Sequence, residues 1–157
     1  MKRIVFDTDG LIKLTCSGIL QLVPFVGHIS AEVYHEAVVE GKKKSHQDAF
    51  VIGQMVSDGK ISVKEVKSGP LPRLGKGESS AVALYHKIKA EVIVSDDRKF
   101  LAYLDEQGVP FLVHSEYLLF LALSKQVKKK DAVEALEKIK NLITIQNYYD
   151  AKGALED

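Results

Sequence analysis

Short apolar runs, separated by longer helical patterns, constrain the fold of this chain more than any other feature. Ile4-Val5-Phe6, Val92-Ile93-Val94 and Phe111-Leu112-Val113 are apolar at every position, as is typical of strands buried on both faces. Two weaker strand patterns lie between the first two of these runs, at residues 27–29 and 61–66. Strands that alternate with helices predict an α/β fold with three α/β/α layers and a central parallel sheet.

The helices predicted between these strands begin and end at capping and breaking residues. The first starts near Gly10 and stops before Pro24, and Ser30 is the expected N-cap of a helix over residues 31–39 that ends at Gly41. Further helices are predicted over residues 47–56, 78–88 and 98–106, then over residues 117–123 and 131–142 of the C-terminal tail. The stretch 68–77 is rich in Gly and Pro, so we expect a loop there.

Length and composition indicate one domain of an ordinary globular protein. The 157 residues are enough for one core, so we expect a single domain over 1–157, with a core at about 3–113 and a helical extension at about 115–157. The formal net charge of +1 means that any site for a polyanion is local. A single cysteine, Cys16, and an N-terminus without an apolar signal core predict a cytoplasmic protein. The longest apolar run is far shorter than the roughly 20 residues that span a bilayer, so no membrane association is expected.

Acidic residues follow two of the predicted strands at the point where each strand ends. Asp7 follows the first, and Asp96 and Asp97 follow the fourth, where ligands of open parallel sheets bind. Glu78 begins a predicted helix and Glu36 lies inside another. Carboxylates that converge repel one another unless cations lie between them, and hard oxygen ligands favour Mg²⁺ or Mn²⁺. Such a site suits metal-assisted hydrolysis of phosphodiesters.

The stretch FDTDGLIKL, residues 6–14, is compatible with two chemistries. Asp7 could be the nucleophile and Asp9 the acid of a haloacid-dehalogenase-type phosphatase, whose motif is D-x-D-G-T/V. Asp7 could instead be a metal ligand in a carboxylate cluster. Leu11 stands where the phosphatase motif requires Thr or Val, and Ser95 comes directly before an acidic pair rather than in that family's separate order. The sequence therefore favours the ligand role, with the phosphatase as the alternative.

Four motifs, taken in order, resemble the PIN-domain nucleases and are closest to the VapC-like archaeal and bacterial branch. They are D-T-x-x-L-I from Asp7, V-Y-x-E-x-V from Val33, G-x-G-E-x-x-A-x-A-L from Gly75 and V-I-V-S-D-D-R-K-F from Val92. Each motif alone has little specificity, whereas their order and spacing are typical of the family. The resemblance covers about residues 3–113, and the helical tail is similar in kind to tails in that branch.

The resemblance implies a set of catalytic acids and supporting groups. The acids that match the family's positions are Asp7, Glu36, Glu78 and Asp97. Metal ligation is predicted for Asp7, Glu78, Asp97 and Asp96, the last at a variable position of its motif. Thr8 and Ser95 are predicted to hold carboxylates or a metal-bound water through their hydroxyl groups. Asp9 departs from the family, which usually has Ser or Asn there, and adds negative charge beside the site.

The resemblance also implies an activity and partners. We expect a Mg²⁺- or Mn²⁺-dependent endoribonuclease, often a dimer and often the toxin held by an antitoxin protein. Four cations near the predicted site are candidates for neutralising RNA phosphates: Arg73, Lys76, Arg98 and Lys99. A PIN-like module without catalysis, which binds RNA or a protein partner through its tail, is the alternative from another functional class.

Overall fold

A computed structural model describes residues 3–157 and contains a five-stranded parallel sheet. The strands are β1 (Ile4–Phe6), β2 (Gly27–Ser30), β3 (Ile61–Lys64), β4 (Val92–Val94) and β5 (Phe111–Leu112). Their order across the sheet is β3-β2-β1-β4-β5. Strands β1 and β4 are therefore neighbours, with Phe6 opposite Val94, and the residues that follow both strands meet at one edge of the sheet.

Helices cover both faces of the sheet, which confirms the predicted fold class. They are α1 (Thr8–Cys16), α2 (Ala31–Tyr34), α3 (Gly41–Lys43), α4 (Gln47–Ser57), α5 (Lys76–Lys87), α6 (Arg98–Glu106), α7 (His114–Leu123), α8 (Lys129–Lys138) and α9 (Ile145–Glu156). A π-helical segment, His35–Glu40, joins α2 to α3, and 3₁₀ turns occupy Ile19–Leu22 and Lys140–Leu142.

The sheet separates two apolar cores, because successive residues of a strand point to opposite faces. Phe6 of β1 belongs to the larger core, where its ring lies edge-on to that of Tyr117 in α7 with the centroids 5.4 Å apart. Val5 faces the smaller core, which includes Phe100 and Leu104 of α6. The two cores fix β1, α6 and α7 relative to one another at the sheet edge where β1 and β4 end.

The helix predicted to end at Gly41 continues through it, so that prediction is wrong. Gly41 has an ordinary helical φ of −62° and begins α3. A Cβ on Gly41 would lie 2.7 Å from the Cβ of Ala49 in α4, closer than side chains approach. The glycine therefore permits close packing of two helices rather than ending one.

The C-terminal helices also differ from the prediction. Helix α7 begins at His114, three residues before the predicted start, and α8 ends at Lys138. Helix α9 lies within the predicted helical extension but was not predicted as a separate helix; it begins after Thr144, whose side chain accepts a hydrogen bond from the backbone N–H of Asn147. Tyr148 of α9 is buried in the larger core, so the tail packs on the same core as the sheet. None of the helices in the described residues has the length and apolar character needed to cross a membrane.

Candidate active site

Asp7 directly follows β1 and is only 2% exposed. It caps α1: its Oδ1 accepts a hydrogen bond from the backbone N–H of Gly10 at 2.7 Å, and its Oδ2 accepts one from Ser95 Oγ at 2.5 Å. Burial raises the pKa of Asp7 from 3.8 to about 7, and the charges of Asp9 and Glu78 act in the same direction. The Asp7 carboxylate is therefore held in place, but its ionised form is poorly stabilised without a cation.

Ser95 and Asp97 come from the segment that follows β4. Ser95 is fully buried, and besides donating to Asp7 its Oγ accepts a hydrogen bond from the backbone N–H of Asp97 at 3.3 Å. Asp97 caps α6, with its Oδ1 accepting from the backbone N–H of Phe100 at 3.0 Å. The pairing of β1 with β4 thus brings the ends of two strands into contact through one serine hydroxyl.

Glu36 reaches the same place from the π-helical segment. Thr8 Oγ1 donates a hydrogen bond to Glu36 Oε1 at 2.6 Å. The other neighbour of this carboxylate is Gly77 in the first turn of α5, where an added Cβ would lie 2.1 Å from Glu36 Oε1. Only glycine leaves room for the carboxylate in this position. A π-helical turn changes the direction of the side chains it carries and frequently occurs at functional sites.

Glu78 follows Gly77, caps α5 and also interacts with the other acids of the site. Its Oε1 accepts a hydrogen bond from the backbone N–H of Gly75 at 3.1 Å, which caps α5. Partial burial raises its pKa, the bond from Gly75 opposes that rise, and the charges of Asp97, Glu36 and Asp9 add to it. The carboxylate is therefore a helix cap that also belongs electrostatically to the acidic site.

These side chains surround one cavity of about 200 Å³. Its lining residues are Asp7, Thr8, Asp9, Glu36, Gly75, Gly77, Glu78 and Asp97. The structure thus brings together all four predicted catalytic acids, and Ser95 and Thr8 hold two of them. Asp9 is a fifth acid that was not predicted as a ligand. One Asp9 oxygen pairs with Lys13 at 3.3 Å, and the other is buried without a hydrogen-bond partner among residues 3–157.

Asp96, the remaining predicted ligand, does not line this cavity. Its side chain is 9% exposed, and its Oδ2 lies 3.3 Å from Nδ1 of His114 in α7. The family motif placed Asp97 among the catalytic acids and Asp96 at a variable position, which left the role of Asp96 open. In the structure Asp97 lines the cavity, whereas Asp96 lies against α7.

The four predicted substrate cations are exposed, and none of them lines the cavity. Lys76 is the first residue of α5, and Arg98 and Lys99 are the first two residues of α6. Lys76 and Arg98 are therefore next in sequence to residues of the cavity wall, and Lys99 lies one position further along α6. Arg73 is instead paired with Glu106 at 3.2 Å, an exposed ion pair that contributes little to stability.

The chemistry of the residues around the cavity suits a hard divalent cation, but their side chains are not positioned as a complete set of metal ligands. Within residues 3–157 no three acidic, His or Cys side chains are close enough together to hold a metal ion. Three of the acids accept hydrogen bonds from local donors: Asp7 from Gly10 and Ser95, Glu36 from Thr8, and Glu78 from Gly75. All of these ligands would be oxygen atoms, which Mg²⁺ and Mn²⁺ prefer. A cation would also favour the ionised form of buried Asp7, and the ligand set stays a prediction.

Two of the comparisons with known proteins found a match. The family model DUF3368, described as a PIN domain, matches residues 3–152. A solved structure of a PilT N-terminus domain protein from the hyperthermophilic archaeon Sulfolobus solfataricus P2 matches 80% of this chain and 93% of its own, with a TM-score of 0.52 and 18% identity. At that identity the similarity concerns the fold alone. No curated protein matches the sequence significantly.

Proposed function

Because the chain belongs to the PIN-domain family, whose members are generally nucleases, we propose that it is a Mg²⁺- or Mn²⁺-dependent endoribonuclease. The observation that carries this proposal is the position of the four acids. Asp7, Glu36, Glu78 and Asp97 come from four separate segments of the chain and face one small cavity. A group of carboxylates around one cavity, with one of them almost fully buried, is typical of a site that works with a cation.

The proposed roles are those that the family resemblance implies, and the contacts of each side chain support them. Asp7 and Asp97 hold the principal ion, helped by Glu78, and Ser95 fixes the orientation of Asp7. Glu36, held by Thr8, orients the attacking water or binds a second ion. A bound Mg²⁺ or Mn²⁺ supplies a more acidic water and positive charge opposite the attacking and leaving oxygens. No covalent intermediate with the protein is required.

Exposed cations in the first turns of α5 and α6 support RNA as the substrate class. Lys76, Arg98 and Lys99 would neutralise phosphates of an RNA strand that crosses the carboxylates. Arg73 can exchange its exposed partner Glu106 for a phosphate at little cost. Because these contacts are ionic, RNA affinity is expected to fall with increasing salt concentration.

The resemblance to the VapC-like branch supports a role as the toxin of a toxin–antitoxin pair. The partners would be an antitoxin protein and a second copy of this chain in a homodimer. A short gene directly upstream that encodes a DNA-binding protein would support this role, and its absence would count against it.

The proposal is tested by RNA cleavage with Mg²⁺, Mn²⁺ or EDTA, using the wild type beside Asp7→Asn. We expect cleavage that requires the metal and falls by about 100-fold or more in the variant. Asp105→Asn, an exposed acid on α6 away from the cavity, is the matched control and should cleave normally. Equal cleavage by Asp7→Asn and wild type, or none by either, would contradict the proposal. Hydrolysis of small phosphate monoesters with a trapped phospho-aspartate would favour the phosphatase.

A further inference from the structure

His114 is a fully buried imidazole beside the candidate site that the proposed reaction does not use. It is the first residue of α7, and its Nδ1 lies 3.3 Å from Oδ2 of Asp96. That contact is within ion-pair distance, yet neither ring nitrogen makes a hydrogen bond of good geometry within residues 3–157. Burying a carboxylate and an imidazole is costly unless each group offsets the cost of the other. The Asp96–His114 contact therefore ties two elements together.

The position of Asp96 gives this contact a consequence at the site. Asp96 lies between Ser95, which donates to Asp7, and Asp97, which lines the cavity. Ser95 and Asp97 face the carboxylate site, whereas Asp96 faces α7. When Asp96 is held against α7, the side chains of Ser95 and Asp97 are therefore kept facing the carboxylate site. If Asp96 turned towards the cavity, Ser95 and Asp97 would lose their present orientations and His114 would keep no polar contact in the described chain.

We propose that His114 is a positioning residue: it holds Asp96 away from the carboxylate site and so fixes the turn that presents Ser95 and Asp97 to that site. Asp96 is then not a metal ligand. The effect of His114 on the turn depends only on the contacts described above. The effect of His114 on metal binding rests on the proposed function.

The test of the turn uses two amide substitutions that place their nitrogen at different distances from the backbone. The side-chain nitrogen of His114→Asn lies close to the position of Nδ1, whereas that of His114→Gln lies one bond further out. Hydrogen exchange is measured by NMR in metal-free protein at the backbone N–H groups of Asp97 and Phe100, which donate to Ser95 and Asp97. We expect the Gln variant to exchange about tenfold faster there and the Asn variant to stay near wild type.

Two amides elsewhere serve as controls for general loss of stability. The N–H of Val33 donates to Ser30, and that of Ile19 donates to Ser17, both far from α6 and α7 in sequence and also at the start of helical segments. Their exchange should be unchanged in both variants. Unchanged exchange at Asp97 and Phe100 in His114→Gln, or an equal increase at all four amides, would overturn the proposal.

The consequence at the site is measured by Mn²⁺ titration of the protein without RNA. We expect His114→Gln to weaken Mn²⁺ binding by about 10-fold or more, as loss of outer-shell partners does. Asp96→Asn keeps an oxygen for His114 and should bind Mn²⁺ within about 3-fold of wild type, whereas Asp97→Asn should lose about 10-fold or more. Equal losses for the two aspartate variants would overturn the assignment of Asp96. If the wild type binds no Mn²⁺, the proposed function fails, and the exchange measurements still decide the role of His114.

Discussion

Replacing Asp7 with Asn should stabilise the metal-free protein at neutral pH, although the same change is expected to lower RNA cleavage by about 100-fold or more. Burial raises the pKa of Asp7 from 3.8 to about 7, so the folded protein binds a proton at this group more tightly than the unfolded chain does. The stability that comes from the protonated form is fully present below about pH 4 and is lost as the pH rises through about 7. At pH 8 the wild type therefore carries a buried charge that Asn lacks.

The magnitude follows from the size of the rise in pKa. Each pKa unit corresponds to about 1.4 kcal/mol, so the rise from 3.8 to about 7 limits the gain in unfolding free energy from Asp7→Asn to about 4 kcal/mol. Asn can accept a hydrogen bond from Gly10 and donate one to Ser95, although with less favourable geometry than the carboxylate. We therefore expect a net gain in unfolding free energy of about 2 kcal/mol at pH 8. For a chain of this length that gain corresponds to roughly 4–8 °C in Tm.

The assay is thermal unfolding followed by circular dichroism in EDTA, at pH 8 and at pH 4.5, with Asp105→Asn as the control. Asp7→Asn should unfold at a higher temperature than wild type at pH 8, and most of this difference should disappear at pH 4.5. The reasoning about the buried charge would be refuted if Asp7→Asn were no more stable than wild type at pH 8, or if its Tm exceeded that of wild type by the same amount at both pH values.

Three further substitutions test other contacts. Gly77→Ala should lower RNA cleavage by about 10-fold or more because its Cβ would displace the Glu36 carboxylate, whereas Gly153→Ala, with no atom within 4 Å of its Cβ, should leave cleavage unchanged and raise Tm; equal effects would contradict this. Thr8→Val removes the hydroxyl that holds Glu36, so kcat should fall about tenfold with KM for RNA unchanged, and a change in KM alone would contradict the assigned role. Gly41→Ala should destabilise the fold by roughly 1–3 kcal/mol in urea titrations, because the new Cβ would overlap that of Ala49; a neutral effect would contradict the close packing of α3 on α4.

Much of the fold could be predicted because the central strands are encoded by local, unbroken apolar runs. Residues 4–6 and 92–94 form β1 and β4 at the predicted positions, and α6 has the predicted bounds of Arg98–Glu106. The convergence of Asp7 and Asp97 followed from one assumption, that these two strands are neighbours, and the structure contains that pairing. The family resemblance placed Glu36 and Glu78 beside them.

The features that could not be predicted depend on packing between segments far apart in sequence. The π-helical segment carries Glu36 to Thr8 and Gly77, and the helix that continues through Gly41 packs closely on Ala49; these contacts join segments far apart in sequence or depend on how two helices pack. The orientation of Asp96 depends on His114, which lies 18 positions further along the chain. Helix α9 is different, because Thr144 and the apolar spacing of its buried face were available as a signal.

The central claim, that the acids at the end of β1 and around it bind a divalent cation, is tested most directly by crystals of the wild type grown with Mn²⁺. The anomalous signal should show an ion about 2.1 Å from carboxylate oxygens of Asp7 and Asp97, with Asp96 still against His114. Crystals with no ion in this cavity at saturating Mn²⁺, or with the ion bound elsewhere, would contradict the account.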